Sequence, residues 1–432
     1  MVKYLRVLRH RIKKIGTKMT TPPPPLAIFQ RHSLLDGFAG EYASNPGLRT
    51  AHPTLGQFPF NVGDHFVSLA VAKVLNVQEF YTLKHGAPQR YFDFVNENCR
   101  AFIVVSQNSL QTGFFGKYLP PNFLGKIKIP MIFLSLGVQF ELDETPRLTK
   151  EDVESLKIIH DKCESSQVRG NISAQLLADH GIMNTRVLGC PSIIWSLDRN
   201  RKTATASNER IGWTITNMHD RPELDTKQHT SMQSLAEQTQ NFVPITQGGE
   251  IVLQDYLSAR DGLGFGNRQD EILDIEVGGE QQLSDREVFF SNPDIELVKH
   301  KLERPSIQEL SDNVRWYYRH YSTPVVDAML TNGFFSHEVA SYMRNARSLS
   351  LMAGTRLHGN IMALSQGIPT IFYPHDQRTL EMAELFEAPM FGLGDKDIDL
   401  VDLNFEKFDK KYRELYDGFA NFFEENGLAH QL

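Results

Sequence analysis

Two cationic side chains follow a short apolar run late in the chain. Arg356 and His358 come directly after the run 351–354, and the apolar helical pattern behind them stops at Gly367. This order predicts a buried strand, a tight turn and a helix that begins near Arg356. Backbone N–H groups at a helix start have no intrahelical partner and attract anions. The segment therefore predicts a site for a phosphorylated or carboxylated ligand.

The chemistry of the two side chains agrees with an anion site. Arg356 offers a planar fork that matches carboxylate or phosphate oxygens, and His358 has an ordinary pKa near neutrality, suited to proton transfer. The alternative is that both residues only cap a strand or bond across a domain interface. Their place at the carboxyl end of a predicted strand favours the site, because open α/β sheets bind ligands there.

A second arginine has the same setting earlier in the chain. Arg169 follows an apolar strand that ends at Val168, and a helix is expected to begin near Ser173. Taken alone, Arg169 is equally well explained as a surface residue or a partner in an interdomain salt bridge. Placed across a cleft from Arg356, it would complete a clamp for phosphate.

A glycine and an acid precede the first clear helical pattern. In the segment Asn61-Val62-Gly63-Asp64, the glycine allows close backbone approach, and Asp64 can accept from a sugar hydroxyl or act as a base. The alternative for Asp64 is a helix cap, which is common for this residue type. The pair His375-Asp376, just beyond a predicted strand at 370–373, ranks second as a candidate near the same cleft.

Signatures of cofactor and metal sites do not occur in the sequence. We find no GxGxxG dinucleotide fingerprint, no P-loop, and no HExxH, GxSxG or EF-hand spacing. The three cysteines are odd in number and form no CxxC pair, which is typical of a reducing compartment. We therefore expect no cofactor, no metal and no disulfide framework.

Charge and hydropathy limit the partners and the location. A net charge of -7 argues against nucleic acid as the main partner, and no apolar run is long enough to span a membrane. We expect a cytoplasmic protein.

Residues 1–18 form a basic arm with apolar residues at helical spacing. We interpret the arm as a solvated terminus; the alternative is peripheral contact with anionic lipid on the inner membrane face.

The length of 432 residues favours two domains, each large enough to have its own core. Short apolar runs alternate with helical patterns, which indicates an α/β fold with two doubly wound domains. The predicted boundaries are a basic arm and proline-rich spacer at 1–25, an N-terminal domain at 26–200, a C-terminal domain at 208–400 with a charged insertion at 261–305, and a closing helix at 405–432.

These segments, in this order, resemble the polysaccharide pyruvyl transferase family. The matching pieces are Asn61-x-Gly63-Asp64, Val168-Arg169, the strand that ends in Pro191, and above all Gly354-Thr355-Arg356-Leu357-His358-Gly359 with Gly367-Ile368-Pro369. The resemblance implies two Rossmann-like, doubly wound domains that face a cleft, in a fold similar to GT-B glycosyltransferases. It also implies transfer of pyruvate from phosphoenolpyruvate onto a sugar as a ketal.

We assign roles to the site residues on this basis. The residues expected to bind phosphoenolpyruvate are Arg169, Arg356, Leu357, Asn61 and Gly63. His358 is expected to be the general acid and base, and Asp64 to orient or deprotonate the acceptor hydroxyl. The acceptor is a saccharide or a lipid-linked saccharide. The scheme requires no metal.

The sequence departs from the family pattern at two places, and two other functions remain open. Cys190 stands before Pro191, where the family often has Asp, and the charged insertion at 261–305 is unusual. The first alternative is a GT-B glycosyltransferase, in which the same basic cleft would hold the diphosphate of a nucleotide sugar. The second is a non-catalytic scaffold in polysaccharide assembly.

Overall fold

The first parallel sheet comes from the N-terminal half of the chain. A computed structural model describes residues 26–30, 62–76, 80–82, 89–216, 218, 221–247, 321–335, 339–396 and 398–432. The strands are β1 (Leu26–Gln30), β2 (Phe80–Thr82), β3 (Phe102–Val105), β4 (Met131–Leu134), β5 (Ser166–Val168) and β6 (Thr185–Val187). The first four pair in the order β2-β1-β3-β4. A parallel bridge from Leu136 to Val168 brings the β5-β6 pair alongside β4.

Helices cover this sheet on both faces. All four residues of β3 are buried: Phe102 and Val104 pack into one core cluster, and Ile103 and Val105 into another. Burial on both faces explains why such strands are continuous apolar runs. The helices are α1 (Val62–Val74), α2 (Gln89–Asn98), α3 (Phe114–Tyr118), α4 (Pro121–Leu124), α5 (Lys150–His160) and α6 (Asn171–Ala178).

The second parallel sheet comes from the C-terminal half. Its strands are β7 (Ile211–Ile215), β8 (Phe242–Thr246), β9 (Leu351–Gly354) and β10 (Thr370–Phe372), in the order β10-β9-β7-β8. All three pairings are parallel. The helices of this half are α7 (Pro222–Ala236), α8 (Thr323–Thr331), α9 (Val339–Arg347), α10 (Leu357–Leu364) and α11 (Gln377–Phe386).

The last helix, α12 (Glu406–Glu425), packs back on the first half of the chain. Its apolar residues recur at helical spacing and are all buried: Phe408, Tyr412, Leu415, Tyr416, Phe419, Phe422 and Phe423. They share one core cluster with residues of α1 and of a short 3-10 helix, Pro191–Ile194. The Tyr412 and Tyr416 hydroxyls also donate to backbone carbonyls at Asp198 and Leu197. The C-terminal helix therefore packs against elements of the N-terminal half of the chain.

The predicted fold class is confirmed. Both sheets are parallel, helices flank both, and the two Rossmann-like units share an apolar core. The helical pattern from Phe66 to Leu75 predicts a helix, and this helix begins earlier, at Val62, so Gly63 and Asp64 lie in its first turn. Strand β1 was not predicted. The sequence also predicts a strand at 314–318. This segment, the basic arm and spacer at 1–25 and the insertion at 261–305 lie outside the described residues.

Three features of the described ranges relate to the other expectations. None of the helices there is both long and apolar enough to cross a bilayer. The cysteines Cys99, Cys163 and Cys190 are all free thiols. Burial raises the pKa of the Cys163 thiol to about 11, which keeps it protonated at neutral pH.

Candidate functional site

The carboxyl ends of the two sheets meet at Arg169 and His358. Arg169 follows β5 directly, and His358 is the second residue of α10, which comes after β9. A guanidinium nitrogen of Arg169 lies 3.1 Å from Nε2 of His358. Two candidates from opposite halves of the sequence are therefore in direct contact. Both side chains are almost completely excluded from solvent.

Two polar residues that follow neighbouring strands hold the Arg169 side chain. Its Nε donates to Oγ of Ser135 over 2.9 Å, and a terminal nitrogen donates to Oδ1 of Asn108 over 2.7 Å. Gly137 leaves the space that the side chain occupies: an added Cβ would overlap Cδ of Arg169 and lie 2.8 Å from the carbonyl oxygen of Gln107. The guanidinium is thus fixed in orientation before any ligand binds.

The support for Arg169 includes an unusual backbone conformation. Ser135 has φ of 62°, a left-handed value that is uncommon for residues other than glycine. Its N–H donates to Oε1 of Gln167 over 2.5 Å, and Nε2 of Gln167 donates to the carbonyl oxygen of Gly189 over 2.6 Å. Such conformations cost of order 1–3 kcal/mol and cluster at functional sites.

The contact with Arg169 fixes the tautomer of His358. A guanidinium group has no acceptor, so Nε2 must accept, and the proton of the neutral ring lies on Nδ1. Burial, with Arg169, Arg378 and Arg356 nearby, holds the pKa of His358 well below its ordinary value. The Cys190 sulfur lies 3.8 Å from the same Nε2. The imidazole is therefore neutral in the protein without a bound anion.

Arg356 stands at the start of α10 and is partly exposed. Its backbone N–H donates to Oγ1 of Thr214 over 3.2 Å, and its Nε donates to the carbonyl oxygen of Ile215 over 3.1 Å. The turn before it needs glycine, because Gly354 has φ of 132° and an added Cβ would lie 2.5 Å from the carbonyl oxygen of Thr214. The side chain of Arg356, at the N-cap position, makes no capping hydrogen bond to α10.

Leu357, predicted to bind phosphoenolpyruvate, has a buried side chain that belongs to the apolar core. Its backbone N–H lies in the first turn of α10, where the helix dipole is positive. Contact with an anion at this residue would therefore run through the backbone.

The early Asn-x-Gly-Asp segment approaches the second sheet. The N–H of Val62 donates to the carbonyl oxygen of Gln247 over 3.1 Å, and Gln247 directly follows β8. Gly63 is therefore near the carboxyl edge of that sheet. Asp64 lies in the first turn of α1, and its side chain is outside the described part of the structure, as is all of Asn61.

A second basic group surrounds the lower-ranked pair His375-Asp376. A terminal nitrogen of Arg378 lies 3.0 Å from Oδ2 of Asp376, and Arg221 forms an ion pair of 2.8 Å with Glu141 from the other half. The positive charges of Arg378 and Arg356 also lower the pKa of His358. The arginines thus place His358 and His375 in one cationic region.

Glu381 is a buried acid that sequence reasoning missed. Its carboxylate accepts from the N–H of Ser173 over 3.0 Å and from Oγ of the same serine over 2.8 Å, which connects α11 to α6. Burial raises its pKa to about 7, although the bonds from Ser173 and the charge of Arg169 act against the rise. The two halves of the fold are therefore joined beneath the site by a titratable group.

Most of the missed site residues share one detectable signal. Asn108 and Ser135 come within a few residues after buried parallel strands, which is where open α/β sheets place ligand contacts. A search for polar residues after each apolar run would have found them. Glu381 has no such signal, because it lies inside a helix.

The described ranges contain no group of three or more His, Cys, Asp or Glu that could hold a metal ion. The groups that converge on the site are instead cationic, and they suit an anionic ligand.

A family model supplies the decisive comparison. The model for polysaccharide pyruvyl transferase matches residues 61–377, which include Arg169 and the segment from Gly354 to Gly359. The chain belongs to this family. The resemblance inferred from the motifs is therefore confirmed, and the family indicates a transferase of polysaccharide biosynthesis. No curated protein sequence matches this chain significantly.

Several solved structures are similar to this chain over most of its length, at low sequence identity and low TM-score. A putative UDP-N-acetylglucosamine 2-epimerase from Listeria monocytogenes has 9% identity and a TM-score of 0.41, with 94% of this chain and 92% of that chain covered. The Neisseria meningitidis UDP-GlcNAc 2-epimerase bound to UDP-GlcNAc has 11% identity, a TM-score of 0.35 and coverage of 94% and 96%. A trehalose 6-phosphate synthase from Burkholderia multivorans has 9% identity, a TM-score of 0.33 and coverage of 91% and 77%. At such low TM-scores these similarities assign no activity to this chain.

Proposed function

We propose that this protein transfers pyruvate from phosphoenolpyruvate to two hydroxyl groups of a sugar, forming a ketal on a polysaccharide or its precursor. Membership of the pyruvyl transferase family supports the reaction class. The observation that carries the proposal is the contact of Arg169 with His358, because it puts an acid/base group beside fixed positive charge.

The charges of the region suit this donor. Phosphoenolpyruvate carries a phosphate and a carboxylate, and three guanidinium groups act on His358: those of Arg169, Arg378 and Arg356. The start of α10 adds the positive end of the helix dipole at the same place. In the proposal, Arg356 and the helix start bind the anion directly, and Arg169, which is fully buried, fixes His358 and contributes its charge.

Donor binding supplies the proton that the reaction needs. The pKa of His358 is low in the free protein because burial and three arginines disfavour the imidazolium. A bound anion that offsets the arginines raises this pKa, so His358 takes up a proton when the donor arrives. The imidazolium can then act as a general acid, an effect worth about 10²- to 10⁴-fold in rate.

The bond changes balance without a further reactant. The methylene carbon takes a proton from His358, the first sugar oxygen bonds to C2, and the proton of that hydroxyl is removed by a base. The bond from C2 to the phosphate oxygen then breaks, and the second hydroxyl bonds to C2. One hydroxyl proton replaces the one given to the methylene carbon, and the other leaves with phosphate. Asp64 is proposed to orient the acceptor.

The test combines binding and product formation. Calorimetric titrations with phosphoenolpyruvate and with UDP are run in parallel, and ketal products are detected by NMR over a panel of oligosaccharides and lipid-linked saccharides. His358→Gln should retain donor binding within about tenfold and lose ketal formation by at least about 100-fold.

Each outcome separates the candidate functions. Binding of UDP alone would support the glycosyltransferase, and failure to bind either anion would support the scaffold. If His358→Gln formed ketal at the wild-type rate, the assignment of His358 as the general acid and base would be wrong. His229→Gln is the matched control, because His229 is a partly buried imidazole that bonds to the N–H of Ser322 and has no arginine beside it in the described structure.

A further inference from the structure

A second imidazole lies in the same cationic region as His358. His375 follows β10 at the carboxyl edge of the second sheet and is 3% exposed. The charged groups around it come from three elements: Asp376 and Arg378 at the start of α11, Arg221 before α7, and Arg356 before α10. Arg356 and Arg378 act on both imidazoles. The same two arginines therefore influence His358 and His375.

One ring nitrogen of His375 has no protein partner. Nε2 lies 3.7 Å from Oδ2 of Asp376, while Nδ1 is buried and makes no hydrogen bond to any residue that the structure describes. Buried polar atoms are almost always bonded, and an exception calls for an explanation such as a ligand. The backbone N–H of His375 donates to Oγ1 of Thr379, which fixes the position of the residue. An unpartnered nitrogen is thus held in a fixed place beside four charged groups.

The neighbouring carboxylate is built to stay ionised. Burial alone would raise the pKa of Asp376, but Arg378, His375 and bonds from Thr379 lower it to about 2. Oδ1 of Asp376 accepts from the N–H of Thr379 over 2.7 Å and so caps α11. A permanently negative group next to an imidazole stabilises the imidazolium once it forms, as the acid does in hydrolase triads.

The first half of the chain also contacts this place. The N–H of Gln377 donates to the carbonyl oxygen of Phe140 over 3.0 Å, and Arg378 donates to Oε1 of Gln139 over 3.4 Å. Gln139 and Phe140 come from the segment after β4 that also provides Ser135 and Gly137 to Arg169. One segment therefore contacts both the arginine that bonds to His358 and the residues that follow His375.

We propose that His375 is the base that removes the proton from the first acceptor hydroxyl. This rests on the pyruvyl transfer proposed above, in which His358 protonates the donor and a separate group must accept the hydroxyl proton. The oxygen bonds to C2 as its proton passes to His375, and Asp376 stabilises the resulting imidazolium. His358, neutral after giving its proton to carbon, takes the proton of the second hydroxyl. His375 passes its proton to the departing phosphate, so both rings return to their initial state.

The electrostatics of His375 suit a base that becomes effective only with the donor present. Burial and the three arginines lower its pKa to about 4, although Asp376 acts in the opposite direction. A bound donor offsets the arginines and raises that pKa towards neutrality, which strengthens the base. A hydroxyl would thus be deprotonated when the donor is in place.

The first experiment compares three proteins at one acceptor concentration: wild type, His375→Gln and the control His229→Gln. His229 shares the unpartnered Nδ1, but its Nε2 accepts from the N–H of Ser322 and its ring lies edge-to-face against Tyr321, outside the arginine cluster. We expect His375→Gln to bind phosphoenolpyruvate within about threefold of wild type and to form ketal at least about 100-fold more slowly. The control should keep wild-type turnover. Full turnover by His375→Gln would overturn the proposal.

Chemical rescue separates a base from a merely structural side chain. His375→Ala is assayed with added imidazole and with ring-substituted imidazoles of different basicity. A base predicts recovery that increases with the basicity of the added compound, whereas recovery independent of basicity, or none in a folded protein that binds the donor, overturns the proposal. If wild type neither binds phosphoenolpyruvate nor forms ketal, the proposed function fails first. If wild type is active and His375→Gln is equally active, only this inference fails.

Discussion

The guanidinium of Arg169 donates to Nε2 of His358 across the two halves of the fold. The two residues are 189 positions apart in sequence, and their atoms are 3.1 Å apart. The arrangement keeps the ring neutral without an anion and leaves its proton on Nδ1. A cation that depresses the pKa of an imidazole makes the protonation state of that imidazole depend on whether an anion is bound.

Removing the charge of Arg169 should raise the pKa of His358. After burial, Arg169 is the largest influence that lowers it. In Arg169→Gln the ring should titrate closer to its ordinary range yet remain below it, because burial persists. NMR titration of the imidazole protons measures the change, with the His358 signals assigned from their loss in His358→Gln. Affinity for phosphoenolpyruvate should fall by at least about tenfold, or about 1.4 kcal/mol.

Arg199→Gln is the matched control for this prediction. Arg199 forms an exposed ion pair with Asp417, at side-chain exposures of 48% for both residues. Exposed pairs contribute little, so neither donor affinity nor the His358 titration should change. An unaltered titration in Arg169→Gln would contradict the electrostatic link.

A methyl group at Gly137 should displace Arg169 without touching any charged atom. Its Cβ would overlap the Arg169 side chain and lie 2.8 Å from the carbonyl oxygen of Gln107. Gly137→Ala should therefore weaken phosphoenolpyruvate binding and destabilise the fold by about 1–3 kcal/mol, the usual cost of overpacking. Titration calorimetry and urea unfolding measure the two effects.

The control for the glycine change is Gly125→Ala. The nearest atom to a Cβ there is the carbonyl oxygen of Pro121 at 3.3 Å, and the backbone is in the right-handed helical region. This variant should bind the donor like wild type. Equal losses in the two variants would show that Gly137 has no special relation to Arg169.

Substitutions at Cys190 should change the pKa of His358, while the thiol itself takes no part in bond formation. Its sulfur lies 3.8 Å from Nε2 of His358, and a thiol is only a weak donor. Cys190→Ala should keep ketal formation within about fivefold, since a hydrogen bond of this kind contributes about 1 kcal/mol or less. Cys190→Asp should raise the pKa of His358, because an opposite charge favours the imidazolium. The pH dependence of turnover detects the shift, and a complete loss in Cys190→Ala would point to the thiol as a reacting group.

Local sequence pattern predicted the parts of the fold that burial determines. The run from Ile211 to Ile215 predicts a strand, because a strand covered on both faces lacks polar alternation, and β7 has these bounds. Helix α12 was predicted from its aromatic stripe for a similar reason. Strand β1, from Leu26 to Gln30, also begins with buried residues. It directly follows the prolines and is far in sequence from its partner β3, so no local signal showed that it pairs.

The site was predictable only as separate pieces. Motif chemistry pointed to Arg169, Arg356 and His358, and the rule for carboxyl ends of strands placed them at sheet edges. Which arginine contacts the imidazole depends on how the two sheets pack, which no spacing in the sequence encodes. Glu381 was missed for the same reason, since its partner Ser173 lies 208 positions away.

Glu381 should make the stability of the fold depend on pH near neutrality. Its pKa rises from the ordinary 4.5 to about 7 in the folded protein, chiefly through burial. Between these values the unfolded chain loses a proton that the folded protein keeps, so the free energy of unfolding falls as pH rises through this window. The full loss is on the order of 3 kcal/mol, from 1.36 kcal/mol per pKa unit.

Urea unfolding of wild type and Glu381→Gln from pH 4 to 8 measures this contribution. Glutamine cannot ionise, so the difference in unfolding free energy between the two proteins should shift in favour of the variant as pH rises to about 7, and then level off. Ser173→Ala is the companion variant. It removes the Oγ donor that stabilises the carboxylate, so the pKa of Glu381 should rise further and the window should extend upward. Parallel stability curves for wild type and Glu381→Gln would show that the carboxyl between α6 and α11 titrates normally, and the connection between the two halves would then be insensitive to pH.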